Sequence, residues 1–238
     1  MSRFPKILSL SLLSVFLTAS HAYALTLGEV ARVAATAQES AFNTVELVAY
    51  AAEDRVPQWN RVKEALEGDI ATLQACLVDK ANCEGVAQEG WHDMIHGLLD
   101  QDQMTQLSLV NAFFNRWQYR TDAETYGVSE RWATPLEFMA NSGDCEDYAI
   151  AKYVTLTFLG FEDAQMRVIA LVDHNRGGIG HSVLSVNVDG QAMILDNLTD
   201  RVYADGQQTG YAPRFAVNMD GIYTYAQAPR VIMASLQQ

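Results

Sequence analysis

The sequence predicts an α+β fold, with helices first and an antiparallel sheet after them. Apolar residues recur at helical spacing through the first half, most cleanly at Trp59, Val62, Leu66, Ile70 and Leu73. After Gly160 the period shortens to two, with Met166, Val168, Ala170 and Val172 alternating against Arg167, Ile169 and Leu171. A helical block followed by a strand block gives two segregated layers. With 49% of 238 residues apolar and no repeat or low-complexity tract, one compact domain, or one domain with a helical extension, is expected.

In chain order, Arg3 and Lys6 precede an apolar run from Ile7 to Ala19, and Ala22-Tyr23-Ala24 fits a small-x-small cleavage site. Residues 1–24 therefore read as a secretory signal, and 25–238 as the exported domain. The net charge of −13 becomes more negative once Arg3 and Lys6 are removed. That balance disfavours nucleic acid and anionic lipid as partners and suits a cation or a basic partner.

Residues 25–103 read as a helical N-terminal portion, which includes Val45, Leu47 and Val48, and 104–238 as the core that carries the site. Cys76 and Cys83 lie seven residues apart around Lys80 and Asn82. In an exported protein the simplest expectation is a local disulfide clasping a helix–helix turn, and a metal pair is the alternative. His92 and His96 share a helix face at the spacing of a zinc protease, but Asp93 stands where that chemistry needs glutamate, and no third ligand is evident.

Met104 to Trp117 forms another helix. Thr134-Pro135 then starts a short one that carries Leu136, Phe138 and Met139 into the Asn141-Ser142-Gly143 break. Strands follow at 166–172, 181–188 and 191–196, with Asp189-Gly190 as a tight turn between the last two. Phe215 to Met219, Ile222 to Tyr225 and Arg230 to Met233 are further strand candidates.

The chain is organised around Gly143-Asp144-Cys145-Glu146-Asp147-Tyr148, which reads as a helix start. Asp144 is a good N-cap, and Cys145, Ala149, Tyr153 and Leu156 form one stripe of a helix that stops at Gly160. A first-turn cysteine sits against free amide N–H groups and the positive helix end, which favour its thiolate. Three adjacent carboxylates, Asp144, Glu146 and Asp147, oppose that by like-charge repulsion. Either Cys145 is an inert thiol, or a cation neutralises the acids. Clustered oxygen ligands suit a hard cation such as calcium.

The hairpin supplies the rest of a site. If Asp189-Gly190 is a two-residue turn, Val188 pairs with Gln191, and continuing that ladder puts Leu198 opposite His181 and Val183 opposite Asp196. His181 and Asp196 then become diagonal neighbours on one face, about 7–8 Å apart between backbones. The carboxylate can fix the imidazole tautomer while the other ring nitrogen takes a proton from Cys145, whose helix is expected to pack against this face.

These same residues carry a resemblance. The runs 132–137, 143–153, 181–184 and 194–198, together with Val110-Asn111, Phe114-Asn115 and Gly221-Ile222-Tyr223, resemble the bacterial transglutaminase-like cysteine proteinases of the LapG type. The resemblance implies a papain/transglutaminase-like fold, a catalytic triad at Cys145, His181 and Asp196, and calcium bound through Asp144, Glu146 and Asp147. It further implies a periplasmic endopeptidase that cleaves a large surface adhesin near its N-terminus and so disperses biofilm. An inner-membrane cyclic-di-GMP receptor would sequester the protease, which itself is not expected to bind nucleotide. Ser182 departs from the family, which often carries methionine there. Transamidation by the same triad, or a non-catalytic calcium-binding scaffold, are the rival expectations.

Overall fold

Six helices and eight strands are built from the residues described by the computed structural model, which are 39–40, 42, 44–48 and 56–227. Helix α1 (Pro57–Val78) opens on a proline at its first turn, where the missing N–H has no intrahelical partner to lose. It buries Trp59, Val62, Leu66, Leu73 and Cys76. Cys76 and Cys83 form a disulfide, with Cα atoms 4.4 Å apart, across a turn in which the Asp79 side chain accepts from Ala81 N–H at 2.9 Å. Helix α2 (Gly85–Leu98) follows directly. Helix α3 (Gln103–Phe114) is capped by Asp102, which accepts from Thr105 N–H at 3.0 Å. Two short helices, α4 (Asp122–Thr125) and α5 (Pro135–Asn141), each start on a capping box, Thr121 with Glu124 and Thr134 with Glu137.

Helix α6 (Cys145–Phe158) is the central element, because every residue from Glu146 to Leu156 is buried. The expected single stripe is thus only part of its packing surface. Helices α3 and α5 cover one side and the sheet covers the other.

The sheet contains β1 (Glu39–Ser40), β2 (Thr44–Val48), β3 (Met166–Asp173), β4 (Ile179–Val188), β5 (Gln191–Asp196), β6 (Thr199–Ala204), β7 (Tyr211–Val217) and β8 (Ile222–Gln227). Its order is β1-β2-β8-β7-β3-β4-β5-β6, antiparallel throughout. Val168, Leu184, Val186 and Leu195 join the helices in the main core. Ile169, Leu171, Val183, Ile194, Tyr203 and Tyr211 form a second cluster, against which Phe42 packs.

Three expectations change. Residues 44–48 are strand rather than helix, because the β-branched run Thr-Val-Glu-Leu-Val pairs along β8, from Thr44 opposite Gln227 to Val48 opposite Tyr223. Strand β6 was not legible, since Thr199-Asp200-Arg201 is polar, as suits a sheet edge. Strand β7 begins at Tyr211, with Pro213 tolerated beside a register shift at Ala170/Leu171. The signal segment 1–24 and the candidate strand 230–233 lie outside the described residues. No helix among the described residues is long and apolar enough to cross a membrane.

Two glycines give a stability test. Gly190 holds φ of 85° in the hairpin turn, whereas Gly68 lies inside α1 with open space around it. Gly190→Ala should destabilise the protein by about 1–2 kcal/mol, and Gly68→Ala should stabilise it by about 0.5–1 kcal/mol. Urea denaturation measures both.

Candidate active site

The Gly-Asp-Cys start of α6 is fixed by Asp147. Its carboxylate accepts from Ala133 N–H at 2.6 Å and from Asp144 N–H at 3.1 Å, tying the helix start to the segment before α5. Gly143 is required here because a Cβ at that position would collide with the Asp147 carboxylate. The Gly143 carbonyl in turn accepts from Arg120 N–H at 2.8 Å. Asp147 is fully buried, and burial pushes its pKa up to about 8 despite the Ala133 bond, with Asp144 adding like-charge repulsion.

Cys145 opens the helix, half-buried and outside any disulfide. Its Sγ donates to Glu146 Oε2 at 3.4 Å. Burial, then repulsion by Glu146 and Asp144, holds the thiol well above its ordinary pKa, and a hydrogen bond from Ser182 acts in the opposite direction. Burial and the neighbouring acids together therefore oppose the thiolate in this arrangement. The ligand atoms of Asp144, Cys145 and Glu146 all lie within 4.8 Å of one another. Asp144 Oδ1 is buried without a hydrogen-bond partner. A buried carboxylate oxygen left unpaired is costly, and a cation at this point would satisfy it. Of these three groups the two carboxylates are the hard oxygen donors that suit calcium. Asp147, expected as a third acidic ligand, is not in this group of three, and each of its oxygens accepts one backbone N–H.

The hairpin takes the expected register, from Val188 opposite Gln191 to Leu184 opposite Leu195, around a turn in which Asp189 and Gly190 both have positive φ. His181 Nε2 meets Asp196 Oδ1 at 2.9 Å, and both side chains are buried. Asp196 collects more donors than the sequence disclosed. Leu198 N–H reaches Oδ1 at 3.0 Å, Tyr211 OH reaches Oδ2 at 2.6 Å, and Tyr203 OH reaches Oδ2 at 3.2 Å. Burial works to raise the Asp196 pKa, but the bonds from His181, Tyr211 and Leu198 win and hold it below the usual carboxylate value. Tyr211 stands three strands away from β5, about 14 Å in a flat sheet. Its bond to Asp196 requires the sheet to curl around this face, so no local spacing announces it.

One geometric expectation fails. Helix α6 packs against the other parity of β4, where Leu184, Val186 and Val188 are buried with it, while His181 shares its side with Val183. The apolar set decides, since a strand cannot turn both sets toward one helix. Ser182, next to His181, is the residue that contacts the Cys145 sulfur. No hydrogen bond joins Cys145 to His181, and His181 Nδ1 has no hydrogen-bond partner among the described residues.

The histidine pair on α2 stays apart from this chemistry. His92 Nδ1 pairs with Asp93 at 3.1 Å and His96 Nε2 with the Leu77 carbonyl at 3.0 Å. Neither belongs to a group of three ligands among the described residues.

Tyr211→Phe tests the clamp on Asp196. Loss of a hydrogen bond to a charged group should cost about 1.5–3 kcal/mol at neutral pH, read by urea denaturation. A carboxylate with a lowered folded pKa contributes stability above its unfolded pKa, and that contribution disappears as pH falls through the folded value. The gap between wild type and variant should therefore close in acid.

The site can be set beside known proteins. None of the curated proteins is significantly similar to the chain. Among solved structures, calcium-bound LapG of Legionella pneumophila is 28% identical, with a TM-score of 0.56, over 65% of this chain and 87% of that one. LapG of the same organism treated with EGTA is also 28% identical, with a TM-score of 0.56, over 64% and 85%. The helix-then-sheet fold is thus a transglutaminase-like one. The family model of the bacterial transglutaminase-like cysteine proteinases (BTLCP) matches residues 65–215, well over half of the sequence, and the chain belongs to that family.

Proposed function

We propose that this chain is a calcium-dependent cysteine endopeptidase in which Cys145 is the nucleophile, His181 the base and then acid, and Asp196 the residue that orients His181. The observation that carries this reading is the buried His181–Asp196 pair at 2.9 Å, with its Nδ1 free, one residue along β4 from the serine that touches Cys145. The Cys145 sulfur attacks the scissile carbonyl after His181 takes the thiol proton. His181 then protonates the leaving amine, and water hydrolyses the thioester. The Cys145 backbone N–H, at the first turn of α6, serves as an oxyanion donor.

Asp144 and Glu146 would hold the calcium, and the unpaired Asp144 oxygen supports that assignment. When bound, calcium supplies the positive charge that offsets the carboxylates around the thiol. Asp147 acts on the same site by fixing the backbone at Asp144. At calcium 100-fold above its dissociation constant, the wild-type protein should gain about 2.7 kcal/mol of stability. Asp144→Ala with Glu146→Ala should abolish that gain, which thermal unfolding with calcium and with chelator measures.

The family resemblance supports a large surface adhesin as the substrate, cut in its N-terminal region to release cells from biofilm. It equally supports control by an inner-membrane receptor that sequesters the protease when cyclic-di-GMP is abundant. Export to the periplasm is supported by Arg3, Lys6 and the apolar run that follows them. The test is cleavage of an adhesin N-terminal fragment by the protein lacking residues 1–24. Two fragments whose masses sum to the substrate plus one water are expected. Cys145→Ala should give none while keeping the wild-type unfolding curve. Undiminished cleavage by that variant removes the assignment, and joined products of higher mass would replace hydrolysis with transamidation.

A further inference from the structure

Helix α6 buries a lysine that the proposed chemistry does not use. Lys152 is 0% exposed. Its Nζ donates to Asn111 Oδ1 at 2.8 Å and to Asn115 Oδ1 at 2.7 Å, and it stands 5.7 Å from the centre of the Tyr148 ring. Burial depresses its pKa to about 7, against the attraction of Asp196 and Asp200. A neutral amine still has two N–H bonds, one for each asparagine, so the arrangement survives loss of the proton.

The asparagines pass this constraint onward. An amide whose oxygen accepts from Lys152 must present its NH₂ on the opposite side. Asn111 Nδ2 donates to the Thr199 carbonyl at 2.8 Å. Asn115 Nδ2 donates to the Asp196 carbonyl at 3.0 Å, the Thr199 carbonyl at 3.0 Å and Asp200 Oδ1 at 3.1 Å. These acceptors belong to the turn from β5 into β6, where the ladder shifts register between Ile194 and Asp196. A flipped amide would set oxygen against oxygen. The donor on α6 and the carbonyls of the turn thus fix the polarity of both amides from opposite sides.

We propose that Lys152 is a positioning residue for Asp196. By fixing the amides of Asn111 and Asn115, it clamps the turn at Asp196 and so holds the Asp196 carboxylate on His181. The catalytic part of this rests on the protease reading above, in which Asp196 orients the base. The same helix would thus carry the nucleophile at its start and, two turns later, the support for the base that serves it.

The test compares Lys152→Met, which keeps length and removes the donors, with the wild-type protein. A hydrogen bond from His181 Nε2 to Asp196 gives a low-field imidazole proton resonance, assigned by its loss in His181→Ala. In Lys152→Met that resonance should move upfield or vanish through exchange with water. In the cleavage assay kcat should fall roughly tenfold or more while KM stays within about twofold, because alignment is lost and binding is not. If Lys152→Met shows no cooperative unfolding transition, Asn115→Ala removes the direct bond to the Asp196 carbonyl and leaves the lysine paired with Asn111. The same change in the resonance is then expected. An unchanged resonance in a folded variant overturns the proposal. Should the wild-type protein cleave no adhesin fragment, the protease reading fails, while the proton resonance still decides whether Lys152 holds Asp196 in place.

Discussion

Enclosure of α6 is the constraint on which the other elements depend. With Glu146 to Leu156 all buried, each polar group on that helix needs a partner from elsewhere in the fold. Asp147 takes the N–H of Ala133 ahead of α5. Tyr148 OH donates to the Trp117 carbonyl at 2.6 Å, Lys152 to two asparagines of and just after α3, and Thr155 accepts from Trp91 of α2 at 3.0 Å. Four separate segments are therefore docked onto one helix by hydrogen bonds that water cannot replace. An apolar helix would have packed as tightly, but it would have left the rotation and height of Cys145 less strictly determined.

The two halves of the site are held by opposite electrostatic logic. Around Cys145, carboxylates and burial resist ionisation of the thiol, and a buried Asp144 oxygen goes unpaired. Around His181, a carboxylate is kept ionised by donors from three strand residues of the curled sheet and from Leu198 in the turn after β5. One half is thus short of positive charge and the other is already balanced. A cation at the helix start would offset the first without disturbing the second, because Asp196 draws its stabilisation from tyrosine, histidine and backbone groups.

Local patterns in the sequence carried a large part of this arrangement. The Thr134-Pro135 start of α5, the Gly143-Asp144-Cys145 start of α6 and the Asp189-Gly190 turn each depend on caps and backbone preferences that act within a few residues, and each appears as expected. The hairpin register follows from that turn, and with it the meeting of His181 and Asp196. Where pairing partners lay far away, the pattern misled or was silent. Val45, Leu47 and Val48 gave a helical spacing, yet they lie in a strand because β8 offers its edge. Strand β6 has too few apolar residues to declare itself.

What the sequence by itself determined, then, is that Cys145 opens one helix and that His181 and Asp196 meet on one hairpin, since caps, turns and strand alternation are short-range. Tertiary structure alone decided that α6 lies on the Leu184 side of β4, that the Asp147 carboxylate accepts from the Ala133 and Asp144 backbone, and that Tyr203, Tyr211 and, through Asn115, Lys152 converge on Asp196. Those outcomes depend on sheet curl and on the shared burial of distant apolar faces, and no neighbouring residues in the chain encode either.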